Sequence, residues 1–256
     1  MKTMQSGVFF LLVFFMAAGC SVKEDRRVCP CRLVMDFSEV DTSLVGEVNV
    51  VAVSSDGIVF SDRIGKEDFS DEYVREVPRC AMHVNVWGGE GTDGDLHISY
   101  GCECPCLYTH FFEPDTGVEE WREKVSLKKN YCRLTVLLEG REDMPYSLTF
   151  RGNVDGYGYD GTPTGGDFAC VAYPSTDGGS QVIVPRQKDS SLLLDVEDME
   201  SAVSRTFAIG EYMAAAGYDW TKAELEDAVV VIDYYLTGIR ITFKEWDKDY
   251  TYDIIL

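Results

Sequence analysis

Nine cysteines are the residues of this chain whose type and spacing could do chemistry. Three of them, Cys102, Cys104 and Cys106, alternate with other residues, and cysteines at this spacing are too far apart to bridge easily. Each is therefore expected to pair with a distant cysteine, and Cys29 and Cys31 could supply two partners. The spacing predicts a disulfide staple between the N-terminal segment and this loop. The disulfide candidates, whose connectivity stays open, are Cys29, Cys31, Cys80, Cys102, Cys104, Cys106, Cys132 and Cys170.

Metal binding is the alternative chemistry for the same cluster, because His97 and His110 flank it and thiolates suit zinc. The Cys-x-Cys spacing, however, matches the usual spacing of zinc ligands poorly. A second segment, Asn153–Asp160, has the oxygens and glycines of a calcium loop but lacks the bidentate Glu of an EF-hand. Its Asp-Gly steps are ordinary turn chemistry. We expect no metal and no cofactor, with metal binding at either segment as the weaker alternative.

The sequence carries no catalytic signature. It has 3 histidines and lacks the Gly-x-Ser-x-Gly, His-Glu-x-x-His, Gly-x-Gly-x-x-Gly and phosphate-loop patterns. Pairs of carboxylates are abundant, but in a chain with 44 acidic residues they carry no information about acid–base chemistry. We therefore expect a protein that is not an enzyme.

The acidic composition limits the partners. The 44 acidic residues outnumber the 23 basic ones, which gives a formal net charge of −21. Such a surface repels nucleic acid and anionic lipid headgroups, so nucleic acid is excluded as a partner. Solubility in an exterior compartment is a sufficient reason for the charge.

The N-terminal segment is typical of a secretory signal peptide. Lys2 precedes an unbroken apolar run from Val8 to Ala18, which is shorter than the roughly 20 residues that a membrane span needs. The ending Ala17-Ala18-Gly19-Cys20 resembles a bacterial lipobox, which implies acylation of Cys20, for example by palmitate, and removal of residues 1–19. The alternative is an ordinary signal peptide that is cleaved nearby and leaves Cys20 unmodified.

The residues after Cys20 are expected to form a lipidated tether, residues 20–28. Lys23-Glu24-Asp25 resembles the acidic export signal of surface lipoproteins in some Gram-negative bacteria, and a plain hydrophilic linker explains it equally well. We expect a lipoprotein of the outer membrane, held in the lipid by its acylated cysteine and exposed at the cell surface. That location is oxidising, which favours disulfides.

The rest of the chain predicts an all-β fold with short helices. Short segments of alternating apolar and polar residues, separated by turn signals, are typical of β-sandwiches. A loop is predicted from Gly152 to Gly166. Two short helices are predicted, one over Gly210–Ala216 and one of about one or two turns that opens with the capping box Thr221–Glu224. Proline and clustered charge at Gly140–Pro145 predict a boundary between two sandwich domains, residues 29–140 and 141–256.

Several segments together carry a family resemblance. They are Cys20 with Cys29–Phe37, Val77–Arg79 with Val84–Gly89, Phe150–Gly156, Pro185–Leu192, Gly210–Met213, and Gly217–Trp220 with Leu225–Asp227. In this order they resemble the fimbrillin-A associated anchor protein family, the lipoproteins at the base of bacterial fimbriae. The Cys102–Cys106 cluster lies outside the family pattern. The resemblance implies two transthyretin-like β-sandwich domains, no enzymatic activity, and assembly by donation of a strand to or from another subunit.

The last stretch of the chain is the candidate donor or edge strand. Tyr250, Tyr252 and Ile254 fall on one face of an extended segment that ends at Leu256. The alternative is that this stretch simply closes the second domain. The expected function is anchor or base subunit of fimbriae, with a fimbrial shaft subunit as the partner.

A surface glycan-binding lipoprotein is the alternative function. It depends on aromatic residues that could form a sugar platform, namely Trp87, Trp121, Trp220 and Trp246 together with many tyrosines.

Overall fold

The structure, a computed structural model, describes residues 29–69, 72–90, 96–139, 146–158, 161–175, 179–200, 203–233, 238–245 and 248–255. These residues are mostly strands, with one 3-10 turn, Lys66–Asp68, and one α-helix, α1, Ile209–Ala215. The predicted all-β fold, two β-sandwiches with short helical elements, is confirmed. Among the described residues, no helix has the length and apolar character that crossing a bilayer would require.

The strands of the first half form two sheets. β1 lies between β4 and β7, and a five-stranded sheet has the order β3-β2-β5-β6-β8. The strands are β1 Cys31–Asp36, β2 Glu47–Ser54, β3 Gly57–Gly65, β4 Tyr73–Val77, β5 Met82–Gly88, β6 Tyr108–Phe112, β7 Glu120–Lys124 and β8 Lys128–Lys129.

The strands of the second half form a four-stranded sheet, β11-β10-β13-β14, and a five-stranded sheet, β12-β9-β15-β16-β17. The domain boundary predicted near residue 140 would place β9 in the first half, whereas its hydrogen bonds place it between β12 and β15. The strands are β9 Tyr131–Glu139, β10 Tyr146–Tyr157, β11 Pro163–Ala172, β12 Gly179–Pro185, β13 Leu193–Asp198, β14 Val203–Phe207, β15 Ala228–Asp233, β16 Gly238–Glu245 and β17 Lys248–Ile255.

The two halves repeat one topology. The order β4-β1-β7 corresponds to β12-β9-β15, and β3-β2-β5-β6 corresponds to β11-β10-β13-β14. In both three-stranded units the first strand pairs antiparallel with one neighbour and parallel with the other. The second half differs by the hairpin β16–β17, which continues its sheet beyond β15.

The long connection between β5 and β6 joins the halves, because its described part, residues 96–107, binds the backbone of the second half. The Ile98 amide donates to the Asp155 carbonyl at 2.6 Å, and the Gly101 amide donates to the Ala169 carbonyl at 2.8 Å. The approach is so close that a Cβ on Gly156 would lie 2.3 Å from the Leu96 carbonyl oxygen, which only glycine avoids. The connection contributes Leu96 and Leu107 to a second hydrophobic core, whose other members are Val51, Trp87 and Tyr157.

The half-buried Arg186 holds the chain where the halves meet. Its Nε donates to Asn130 Oδ1 at 2.7 Å, and its Nη atoms donate to the backbone carbonyls of Lys129, Trp220, Lys222 and Ala223. Burial lowers the pKa of this guanidinium from its ordinary value. The side chain therefore satisfies backbone carbonyls of β8 and of the segment after α1.

Arg186 also explains why the helix predicted from Thr221 to Glu224 is wrong. This segment forms turns and bends, and the carbonyls of Lys222 and Ala223 accept hydrogen bonds from Arg186 instead of from amides of a following helical turn. Asp219 Oδ1 accepts the Thr221 amide at 2.8 Å and its hydroxyl at 2.7 Å, which closes a local turn.

The other predicted helix is present as α1, and Gly217 ends it as expected. With φ of 94°, Gly217 lies in the left-handed region that favours glycine. Its amide donates to the Ala214 carbonyl and the Tyr218 amide donates to the Met213 carbonyl, which is the Schellman arrangement of a helix C-terminus.

The loop predicted from Gly152 to Gly166 is wrong over much of its length. β10 continues to Tyr157 and β11 already begins at Pro163. The glycines and aspartates accompany register shifts between Gly152 and Val154 and between Val154 and Tyr157, so they mark bulges within paired strands.

We predict that Arg186→Ala destabilises the protein by about 3–5 kcal/mol, because Asn130 Oδ1 and four backbone carbonyls lose their donor at once. Arg63→Ala is the matched control, since Arg63 is 57% exposed and pairs with Glu47 at 3.3 Å. Its expected effect is about 0–1 kcal/mol. Urea unfolding of the purified protein measures both values, and equal losses in the two variants would contradict the role assigned to Arg186.

Candidate functional site

The cysteines are spread over the fold as free thiols. Cys29 and Cys102 are exposed, Cys80 is partly buried, and the described chain contains no disulfide. The disulfide prediction therefore finds no support. The buried thiols are Cys31, Cys104, Cys106, Cys132 and Cys170.

The predicted disulfide staple between the N-terminal segment and the Cys102–Cys106 segment is absent among the described residues. The Cys102–Cys106 segment packs on the sheets of the second half, away from the N-terminal strand. The Cys104 amide donates to the Ile183 carbonyl of β12 at 3.0 Å, and Gly101 bridges to Cys170 of β11. Cys31, in contrast, pairs with Val77 in the sheet of the first half. The cysteine-rich segment thus belongs to the junction between the halves.

The histidines and the Asn153 segment make local contacts. His110 Nε2 lies 3.0 Å from Glu123 Oε1, and its Nδ1 lies 3.0 Å from the Ser126 carbonyl oxygen. Asn153 Nδ2 donates to Asp189 at 2.9 Å, and Asp155 accepts the Thr164 hydroxyl at 2.8 Å. Among the described residues, no group of three or more His, Cys, Asp or Glu side chains is placed to hold a metal ion. Asp160 lies outside the described residues.

The candidate donor strand lies at the end of the second five-stranded sheet. β17 pairs antiparallel with β16, with Tyr250 opposite Phe243 and Tyr252 opposite Ile241. Within the described strands the sheet ends at β17, so its outer backbone edge has no strand beside it. Leu256 and the lipidation candidate Cys20 lie outside the described residues.

The corresponding edge of the first half is built differently. β7 occupies the place of β15 but is the last strand of its sheet, and it carries exposed charges. Arg122 forms ion pairs with Glu120 at 2.6 Å and with Glu72 at 2.5 Å. Charged side chains along an edge oppose pairing with another chain. The first half therefore has a protected edge, whereas the second half extends the same edge with a hairpin.

The three tryptophans within the described residues do not form an exposed aromatic platform. Trp87 and Trp220 are buried, and Trp121 is partly buried with its indole N–H 3.3 Å from Glu123 Oε2. Trp246 lies outside the described residues. The glycan-binding alternative therefore loses the described tryptophans as an exposed platform, whereas two of the tyrosines on which it also depended, Tyr100 and Tyr173, are exposed.

A cavity at the junction is the feature that sequence patterns missed. It has a volume of about 340 Å³ and lies between β6, β8, Gly161, Arg186 and residues 221–223. Its lining comes from segments far apart in the chain. The one sequence signal near it is Pro185-Arg186, which belongs to the family-like segments but carries no indication of a cavity.

Comparison with known proteins identifies the fold. No family model matches the chain, and no curated protein matches it. Among solved structures, a candidate polysaccharide-binding protein from Bacteroides thetaiotaomicron has a TM-score of 0.64 at 12% identity, with 88% of this chain and 98% of that chain covered. A candidate adhesin from Bacteroides ovatus has a TM-score of 0.59 at 13% identity, with 88% and 96% covered.

The fimbrial anchor protein Mfa2 from Porphyromonas gingivalis has a TM-score of 0.56 at 13% identity, with 85% of this chain and 98% of that chain covered. The chain therefore shares its β-sandwich fold, over nearly the full length of each neighbour, with adhesin, fimbrial and polysaccharide-binding proteins. At these identities the likeness concerns the fold alone.

We predict that Cys29 and Cys102 react with iodoacetamide in the folded, reduced protein at pH 8, whereas Cys132 and Cys170 do not. Burial raises the pKa of both protected thiols to about 12, so at pH 8 the reactive thiolate is scarce as well as inaccessible. Mass spectrometry of peptides after labelling measures each site. Equal labelling of Cys132 and Cys29 without denaturant would contradict this placement, and labelling in urea is the positive control.

Proposed function

We propose that this protein is a non-enzymatic lipoprotein of the outer membrane that serves as the anchor or base subunit of fimbriae. In this proposal residues 1–19 are removed, acylated Cys20 enters the membrane lipid, and residues 20–28 form the tether. The folded part is displayed at the cell surface and grips a fimbrial shaft subunit.

The observation that carries the proposal is the hairpin β16–β17 at the edge of a repeated sandwich. The first half lacks this hairpin and ends its sheet with the charged strand β7. An added hairpin with an unpaired outer strand is suited to joining another subunit, because a further strand gains a full ladder of backbone hydrogen bonds. Alternate side chains along the strand then give specificity.

The shared fold with a fimbrial anchor protein supports the same function. The lipobox-like sequence at Cys20 supplies the membrane end, and the hairpin lies near the opposite end of the chain.

Removal of β17 tests the shaft-binding end. We predict that a chain lacking residues 248–256 stays in the membrane but sheds fimbriae into the medium, because the edge that joins the partner is gone. Electron microscopy of cells and immunoblots of cell-free medium measure the shed fraction. Normal retention of fimbriae by the truncated protein would reject strand complementation at this edge.

A pair of single substitutions tests which face of β17 contributes to partner binding. Tyr252→Asp changes the face that Tyr250 and Ile254 share, whereas Thr251→Asp places the same charge on the alternate face. We expect stronger shedding with Tyr252→Asp. Circular dichroism and thermal unfolding of both variants check that the sandwich is intact.

Lipidation is tested separately at Cys20. We predict that Cys20→Ser abolishes incorporation of radiolabelled palmitate and moves the protein from the membrane fraction to the medium or periplasm. Cys29→Ser is the matched control, since Cys29 is the next cysteine along the chain. Palmitate labelling that persists in Cys20→Ser would show that the lipid is attached at another residue.

A further inference from the structure

The cavity at the junction has the lining of a binding site that the fimbrial proposal does not use. Its volume of about 340 Å³ falls within the range of small-molecule pockets. It is lined by Thr109, His110, Phe111, Lys128, Asn130, Gly161, Arg186, Thr221, Lys222 and Ala223.

The charge of this lining is opposite to that of the whole chain. Lys128, Arg186 and Lys222 line the cavity and no carboxylate among the described residues does, although the chain carries a net charge of −21. Within the described residues Lys128 has no carboxylate partner, while Lys222 pairs with Glu226 at 2.7 Å. The carboxylates that act on Arg186 from a distance are Glu224 and Asp219, and neither lines the cavity.

Arg186 would act on a bound ligand through its fixed positive charge more than through hydrogen bonds to that ligand. Its N–H groups already donate to Asn130 Oδ1 and to backbone carbonyls, so the charge is fixed in place without a bound carboxylate. A fixed, half-buried positive charge attracts an anion more strongly than an exposed one, because solvent screens it less. Lys128 is the cation able to reach such an anion directly.

The uncharged lining suits a sugar. Thr109 and Thr221 carry hydroxyl groups, and the buried Asn130 has an amide that contacts both Thr109 and Arg186. Phe111 adds an aromatic ring whose other neighbour is His83, with ring centroids 5.7 Å apart. The lining thus combines several polar side chains with one aromatic ring, and precisely placed polar groups fix the orientation of a small ligand.

We propose that this cavity binds a carboxylated sugar, such as a uronic acid unit of an acidic polysaccharide. The carboxylate lies toward Lys128 and Arg186, and the sugar hydroxyls meet the threonines and Asn130. The ring packs on Phe111. This inference is independent of the hairpin and of fimbrial attachment.

Isothermal titration calorimetry of the full chain in detergent tests the proposal with three probes: an oligosaccharide of glucuronate, a glucose oligosaccharide of equal length, and inorganic phosphate. We expect binding of the glucuronate probe that weakens as salt rises, with little or no binding of the glucose probe. Equal binding of glucose would overturn the role of the carboxylate, and equal binding of phosphate would show a bare anion site. No binding of glucuronate would overturn the proposal altogether.

A matched pair of lysine variants locates the site. Lys128→Ala should weaken glucuronate binding about tenfold, as expected for loss of a charge-assisted hydrogen bond. Lys66→Ala should leave it unchanged, since Lys66 follows β3 at the opposite edge of the same sheet from β8. Equal effects of the two substitutions would place the binding outside the cavity. Thermal unfolding checks that both variants fold, and Phe111→Leu is a second variant that should weaken binding without altering charge.

Discussion

The relation between the two halves depends on hydrogen bonds that the connection between β5 and β6 and the Arg186 side chain make across the junction. Backbone amides of Ile98, Gly101 and Cys104 donate to carbonyls of the second half. Arg186 then ties β8 to the segment after α1. Tyr157 closes the same network by donating its hydroxyl to the Asn130 carbonyl at 2.7 Å. Because the Tyr157 bond is buried and the Arg186 bonds to Asn130 and Lys129 are partly buried, separating the halves would leave several polar groups without partners.

The repeated topology explains why the two ends of the molecule differ. One sandwich plan is used twice, so each difference between the copies is an addition to a common frame. In the first copy the additions are β8 and the long connection that covers Trp87, and both lie at the junction. In the second copy the addition is the C-terminal hairpin, which extends the sheet away from β9. The first half therefore carries its additional elements at the junction, and the second half carries its additional hairpin at the outer edge of its sheet.

The sequence predicted what depends on local pattern and missed what depends on distant partners. Alternation along β1 and β5 and the glycine after α1 are local, and they predicted strands and a helix end that the structure contains. The segment at Thr221 has the local pattern of a helix, but its Lys222 and Ala223 carbonyls accept hydrogen bonds from Arg186, which lies 36 and 37 residues earlier in the chain. Cys104 is placed by Ile183, so spacing alone could not show which way its segment faces. The cavity has no local pattern, because five separate segments meet there.

The hydrogen bonds at the junction would affect how tension on an N-terminal tether passes through the protein to a bound partner. The described chain begins at Cys29, whose carbonyl accepts a hydrogen bond from Arg79 Nε at 2.7 Å, and it leads into β1, which is paired on both sides. Tension on a tether at this end would reach a central strand rather than an edge strand that is free to peel. The chain continues from β8 into β9, which is also paired on both sides. At the far edge of that sheet, β17 has one strand neighbour among the described strands. A partner strand beside β17 would give it a second ladder of backbone hydrogen bonds, which would hold it more firmly in the sheet.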